Sequence, residues 1–361
     1  MRILHCIPSM GGGGAERQLA YLAEEFTCMG WEVHVALLSG GPNMDRLEAS
    51  GAVIHPLAAR SNYDPGILYQ LLRTIKSVKP DLIQVWMLQM EVLGGTAAQM
   101  ARVPWILSEC SSELCYPPTF KIKLRVSIAF GAGAIVSNST GGDEYWRARL
   151  GSRVPRWVIP SALPLDEIEA AQAAGPEETG LGPEQKVVLY AGRFSPEKNL
   201  ETLVLALRQV VSQPGIVAVL CGDGPSRPTI ERQVQEYELA DRVRLPGYVP
   251  SVWSWMKRAD VFVSAGLFEG QPNTVLEAMA CGCPLVVSDI PAHREFLDEH
   301  NALLVDPNTP VEIAQAIGSV LSAPEAAARR AQAARARVAA WSVPAIARQY
   351  EQVYQVLMKR G

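Results

Sequence analysis

Short apolar runs alternate with longer stretches of mixed polar and apolar residues along most of the chain. The runs RILHCI (2–7), VHVALL (33–38), AVIHPL (52–57), LIQVW (82–86), WIL (105–107) and AIVS (134–137) read as strands. Helical stretches separate most of them; the first spans 15–29 and sets Leu19, Leu22, Ala23 and Phe26 on one face. Strands that are apolar almost throughout indicate a parallel sheet covered on both sides. The pattern restarts at KVVLYAGR (186–193) and continues through IVAVLCG (216–222), VRL (243–245), VFVSA (261–265) and PLVVSD (284–289). Between the two series, residues 158–185 are rich in Pro, Gly, Ala and Glu with no long apolar period, which reads as a linker with a boundary near Ser161. The expectation is two doubly wound α/β domains, 1–161 and 162–341. An Ala/Arg-rich, solvent-washed helix is expected over 323–340. A last amphipathic helix is expected over 342–361, with Ile346, Tyr350, Val353, Tyr354 and Leu357 at helical spacing.

Composition narrows the class. The chain has 361 residues, 48% hydrophobic and 19% charged, which excludes a disordered chain. Its net charge of −4 leaves no footprint for binding nucleic acid. No apolar stretch is long enough to span a bilayer. The opening MRILHCIPSMGGGG is too short in its apolar part for a signal peptide. Seven Cys without a spacing framework point to free thiols in a reducing, cytoplasmic setting. Residues 1–163 carry a charge of +2 and the remainder −6.

Four segments carry chemistry. Gly11 to Gly14 follow the first strand and open a helix, where free N–H groups and a partial positive charge can face a phosphate; a flexible turn is the plain alternative. No Gly-Lys-Ser/Thr follows, so this is not a Walker loop. Gly192-Arg193-Phe194-Ser195-Pro196-Glu197-Lys198-Asn199 stands at a strand end, and its two cations suit a diphosphate clamp as well as a solvated turn capped by Asn199. Cys221-Gly222-Asp223-Gly224-Pro225 is either a tight turn or a place where backbone approaches a ligand. The strongest segment runs from Phe268 to Pro284. Asn273 reads as an N-cap and Gly282 as the helix end, with Glu269 in the loop ahead and Glu277 a turn inside. Paired carboxylates suit sugar hydroxyls, and a helix N-terminus suits phosphate.

In this order, the Gly-Gly-Gly-Ala-Glu-Arg opening, the Gly-Arg-Phe-Ser-Pro-Glu-Lys-Asn run, the Gly-Asp-Gly-Pro turn and the Glu269–Glu277 pair resemble glycosyltransferase family 4. That family comprises retaining, nucleotide-sugar-dependent enzymes of the GT-B fold. The resemblance implies two Rossmann-like domains facing a central cleft, with the last helix crossing back to the first domain. It implies that Arg193 and Lys198 bind the donor diphosphate and that Glu269 holds the sugar and its developing charge. Gly270, Gln271, Pro272, Asn273 and Thr274 would present backbone to the donor, and Glu277 would bind the ribose. Gly192 and Gly222 would line the donor site, Val249 would border the base, and Gly12, Gly13 and Gly14 would face the diphosphate. The expected function is transfer of a hexosyl or N-acetylhexosaminyl group, from a donor expected to be UDP-linked, to a glycan or lipid-linked acceptor in polysaccharide or lipopolysaccharide synthesis. A non-hydrolysing nucleotide-sugar epimerase of the same fold and a non-catalytic nucleotide-sugar sensor are the alternatives.

The chain departs from the family at one place. Many members carry a His after a first-domain strand; here Leu107-Ser108-Glu109-Cys110 stands there, and Trp86-Met87-Leu88-Gln89 ends in Gln89. Glu109 and Gln89 are therefore the acceptor-side candidates. No Asp-x-Asp occurs, so metal-independent chemistry without a cofactor is expected. Cys281 and Cys283 read as core thiols, and Trp253 and Trp255 as packing residues. His293 is weighed as a site residue against a loop role. Lys121, Lys123 and Arg125 alternate with apolar residues in a segment, 121–156, holding seven basic and two acidic side chains. A solvated helix face and a peripheral contact with anionic lipid are both open readings.

Overall fold

A computed structural model describes residues 1–62 and 64–359. The last two positions of the expected final helix lie outside the described residues.

The apolar runs form two parallel sheets. The first has β1 (Arg2–Cys6), β2 (Glu32–Leu37), β3 (Val53–Pro56), β4 (Leu82–Trp86), β5 (Trp105–Glu109), β6 (Ala134–Ser137) and β7 (Arg156–Val158), in the order β3-β2-β1-β4-β5-β6-β7. The second has β8 (Lys186–Ala191), β9 (Ile216–Cys221), β10 (Val243–Gly247), β11 (Val261–Ser264), β12 (Leu285–Ser288) and β13 (Leu303–Val305), in the order β10-β9-β8-β11-β12-β13. The central strands are buried along their whole length because helices cover both faces, as the continuous apolar runs require. In each sheet the strand order reverses once, between β1 and β4 and between β8 and β11. At such a reversal the neighbouring loops diverge and leave a crevice at the carboxyl ends of the strands.

The chain forms two compact units, Met1–Ala162 with Trp341–Gly361, and Leu163–Ala340. The final helix, Val343–Met358, buries Ile346, Ala347, Tyr350, Val353, Tyr354 and Leu357 in the first unit. Tyr354 packs 5.6 Å from Phe26 and 5.8 Å from Trp31. Its hydroxyl donates to Gln84 on β4, whose amide donates to Ser108 Oγ at 2.6 Å. Within the second unit, the helix Pro324–Val338 is less solvent-washed than its composition suggests. Ala327, Ala331, Ala334 and Val338 form a buried stripe, small enough for close helix packing.

Candidate active site

In the second unit, the crevice at the β8/β11 reversal is built by two loops. After β8, Phe194 is fully buried and anchors the loop, and Pro196–Lys198 makes one 3₁₀ turn with proline at its start. Asn199 then takes a left-handed conformation, φ 54°, which asparagine tolerates. Its amide donates to the carbonyls of Ala265 at 3.1 Å and Pro307 at 2.7 Å, which ties this loop to those after β11 and β13. Asn199 holds the N-cap position but makes no side-chain bond to the helix backbone, because its Oδ1 accepts instead from the Thr202 hydroxyl at 2.7 Å. From the other side, the Leu267 N–H donates to the Glu197 carbonyl at 2.8 Å. These ties bring Lys198 Nζ to 2.5 Å from Glu269 Oε1, with side chains 22% and 10% exposed. Arg193 projects into solvent, and among the described residues its guanidinium makes no ion pair.

The loop from Glu269 through Gly270 and Gln271 leads into the helix Asn273–Ala280. Pro272, not Asn273, takes the N-cap position, and no side chain caps the helix. Asn273 is instead the first helical residue, with a buried Oδ1 that has no partner among the described residues. The N–H groups of Asn273 and Thr274 belong to the turn that has no intrahelical acceptors. Glu277, one turn further, is only 2% exposed.

The glycines of the β9 turn serve a neighbour within the protein. A Cβ on Gly222 would lie 1.9 Å from the Gly192 carbonyl oxygen, and one on Gly224 would lie 2.4 Å from that of Phe194. The two loops are zipped by Gly192 N–H to Cys221 O at 3.0 Å and Phe194 N–H to Asp223 O at 2.9 Å. Gly222→Ala, at φ 138°, is therefore expected to cost about 1–3 kcal/mol in backbone strain alone. Denaturant unfolding of the second unit measures this, and a wild-type transition would refute the packing argument. Val249 lies partly buried just beyond β10, on the outer edge of this sheet.

In the first unit, Gly13 is the N-cap and Gly14 the first residue of the helix Gly14–Cys28. The loop is fastened by Met10 N–H to Ser39 O at 3.1 Å, Asn43 N–H to Met10 O at 3.1 Å, and the Asn43 amide to Gly11 O. The Glu16 carboxylate folds back so closely that a Cβ on Gly13 would meet its oxygen at 2.4 Å, whereas Gly12 faces open space. Sequence reasoning missed Gln18, whose amide exchanges two hydrogen bonds with the Ala162 backbone, at 2.9 and 2.6 Å.

Residues 13–162 match the family model described as Glycosyl transferase 4-like domain, and residues 172–337 match Glycosyl transferases group 1. Each of the two units thus carries one glycosyltransferase match. It is 26% identical over 258 residues to the putative teichuronic acid biosynthesis glycosyltransferase TuaC of Bacillus subtilis, covering 68% of this chain and 63% of TuaC. It is 29% identical over 321 residues to the lipopolysaccharide core biosynthesis glycosyltransferase LpsE of Rhizobium meliloti, covering 86% of each. The structure of Anabaena HepE in complex with UDP and glucose superposes with a TM-score of 0.88 at 22% identity, covering 99% of this chain and all of HepE. The fold is GT-B.

In the first unit, the geometry corrects two expectations. Glu109, at the end of β5, is fully buried and its oxygens are committed. Oε1 accepts from Ser111 N–H at 2.9 Å and Tyr116 OH at 2.7 Å, and Oε2 accepts from Arg125 at 2.5 Å and Trp146 Nε1 at 3.0 Å. It is a structural anchor for the loop after β5 and not an acceptor-side group. Arg125 is equally buried and also pairs with Glu91, beneath the rings of Tyr116 and Trp146. It therefore cannot meet a lipid surface, whereas Lys121 and Lys123 on the same helix, Phe120–Ala129, are exposed. Burial lifts the Glu91 carboxyl to about 7, against the pull of Arg125. Gln89 sits half-buried in the first turn of the helix Met87–Ala101, beside the β1/β4 reversal, with its amide 3.2 Å from Asn62 O. Met87 ahead of it adopts φ 64°, an unusual conformation that no sequence signal announced.

Cys283 is buried and Cys281 partly so; burial pushes the Cys281 thiol up to about 12. Trp255 is a packing residue, 5% exposed. Among the described residues, no helix is long and apolar enough to cross a membrane, and no three His, Cys, Asp or Glu side chains gather as a metal site.

Proposed function

We propose that the chain is a retaining, family 4 glycosyltransferase that moves a hexosyl or N-acetylhexosaminyl group from a UDP-linked donor to a glycan or lipid-linked acceptor. The observation that carries this reading is the Lys198–Glu269 contact at the β8/β11 reversal, ahead of an uncapped helix N-terminus. An ammonium and the N–H groups of Asn273 and Thr274 suit a leaving diphosphate. A carboxylate within hydrogen-bond reach of that ammonium suits the sugar, whose anomeric carbon gains positive charge as the bond to the diphosphate breaks. Arg193 adds a second cation, and Glu277 receives the ribose hydroxyls. In the first unit, Gly12 to Gly14 form an anion-suited loop ahead of a helix, and Gln89 stands as the acceptor-side candidate. HepE, of the same fold, has been seen with UDP and with UDP-glucose, LpsE is described as a lipopolysaccharide core biosynthesis glycosyltransferase, and TuaC as a putative teichuronic acid biosynthesis glycosyltransferase. These support a UDP-sugar and a cell-surface acceptor here.

The chemistry we propose needs no enzymic nucleophile. The C1–oxygen bond to the diphosphate breaks while the acceptor oxygen bonds C1 on the same face, and the acceptor proton passes to a donor phosphate oxygen. Incubating candidate UDP-sugars with and without acceptor tests the reading. Transfer supports it; isomerisation without acceptor, or binding without turnover, replaces it with an epimerase or a sensor. Cations and a helix terminus take the place of a metal in this scheme, so EDTA should leave activity largely intact. Complete loss restored by Mg²⁺ or Mn²⁺ would refute this part.

The enzyme is also proposed to work at the inner face of the membrane through the helix Phe120–Ala129. Phe120 is 79% exposed beside Lys121 and Lys123, and Leu124 adds apolar surface. Replacing both lysines by Glu should weaken binding to anionic vesicles by at least about 2 kcal/mol at low salt. Equal partitioning of the wild type onto neutral and anionic vesicles would remove this contact.

A further inference from the structure

Two buried polar residues, one at the end of β12 and one in the short helix Pro291–Arg294 that follows it, have no place in the scheme above. Ser288 and His293 are both 0% exposed. A carbonyl only accepts, so His293 donates from Nδ1 to the Ser288 carbonyl, at 2.7 Å. Burial holds the imidazole's pKa down to about 4, so the ring is neutral and Nε2 keeps a lone pair, for which the described residues offer no partner. The Ser288 hydroxyl donates to the Gly266 carbonyl at 2.6 Å, with its own oxygen 3.3 Å from Nδ1.

The Gly266 carbonyl and the Leu267 N–H belong to one peptide group. That group is therefore pinned at both poles, by Ser288 on one side and by the Glu197 carbonyl on the other. Glu269 follows two residues later and leans on this peptide. The place where a Gly266 Cβ would stand is 3.2 Å from Glu269 Oε1 and 3.5 Å from Glu197 O. An apolar pair would fill the volume beneath β12 equally well, but it would not orient a carbonyl.

We infer that His293 and Ser288 are positioning residues that hold Glu269 through the Gly266–Leu267 peptide. The inference deepens the proposed function and rests on it for its effect on turnover. A carboxylate that stabilises charge must keep its place within a fraction of an ångström, and a loop cannot do so without support from buried groups.

Three variants test the relay. Ser288→Ala removes one oxygen atom, His293→Leu removes the Nδ1 donor, and His293→Asn retains an N–H at the same reach. In the first two, the single-turnover rate should fall by up to about 10²-fold while UDP affinity stays within about twofold of wild type. His293→Asn should keep most of the rate. Amide exchange at Leu267, which needs no substrate, should quicken in Ser288→Ala and His293→Leu but not in His293→Asn. Unchanged rate and exchange in both, or rate and UDP affinity falling together, would overturn the relay. If the wild type transfers no sugar, the proposed function fails separately, and Leu267 exchange alone decides: faster exchange keeps the positioning role, and unchanged exchange ends it.

Discussion

Lys198→Ala is expected to lower the rate of sugar transfer by about 10²–10³-fold, the scale for removing one preorganised charge at the transition state. The residue loses two functions at once. In the proposed reaction the leaving diphosphate forfeits a cation, and Glu269, whose side chain is only 10% exposed, forfeits its ion-pair partner. Arg193→Ala should act on the diphosphate alone, because Arg193 holds no ion pair among the described residues. Glu269→Gln should leave UDP affinity near wild type and lower the chemical rate, because its charge counts most where the oxocarbenium charge develops. Glu277→Gln, on the rigid helix, should instead weaken UDP and intact donor together by about 1.5–3 kcal/mol. Calorimetric titration with UDP and single-turnover kinetics separate these outcomes. Wild-type turnover in Lys198→Ala, or loss of UDP binding in Glu269→Gln with rate loss alone in Glu277→Gln, would reverse the assignments.

Arg125→Met should destabilise the first domain by about 3–5 kcal/mol, the cost of stranding buried charge. Glu91 and Glu109, 2% and 0% exposed, share this single guanidinium. Burial pulls the Arg125 pKa down, but the two carboxylates outweigh it and hold the group protonated. Without Arg125, both carboxyls must take up protons to stay buried. In the variant both folded pKa values then lie above the unfolded value, so their contribution is intact below about 4.5 and is lost as pH climbs. In the wild type Glu91, raised to about 7, already carries part of this penalty. The stability deficit of Arg125→Met should therefore be small near pH 5 and large near pH 8. Adding Glu91→Gln and Glu109→Gln removes the stranded charges and should recover most of the loss. A deficit that is flat with pH, or no recovery in the triple variant, would show that the cluster is held by packing and not by charge.

Much of the architecture was legible in the chain because it is decided locally. A fully covered parallel strand must be apolar throughout, so β1, β4, β8 and β9 declare themselves by run length. The stop of the helix Asn273–Ala280 at Gly282, φ 70°, is written in the conformational freedom of that residue. β7 and β13 went unread because three residues are too few to show a period. Helical spacing likewise revealed the amphipathic face of Val343–Met358, but only the fold shows Gln84 and Phe26 as the partners of Tyr354.

The candidate site divides along the same line. Its cations and carboxylates were visible as motif residues. That Lys198 touches Glu269 across 71 positions follows from β11 lying beside β8, and strand order leaves no local trace. For the same reason Glu109 looked like an acceptor-side group. Only packing shows that Arg125, 16 residues on, occupies it completely, and removes Arg125 from the basic surface in the same contact. Gly222 and Gly224 left a tight turn and a ligand approach equally open, and only the fold shows the Gly192 and Phe194 carbonyls lying where their side chains would be. Periodicity and turn chemistry report what each segment does with its own backbone. Which buried polar group meets which is decided when distant strands come together, because a hydrogen bond in the core is satisfied by whatever the topology brings within 3 Å.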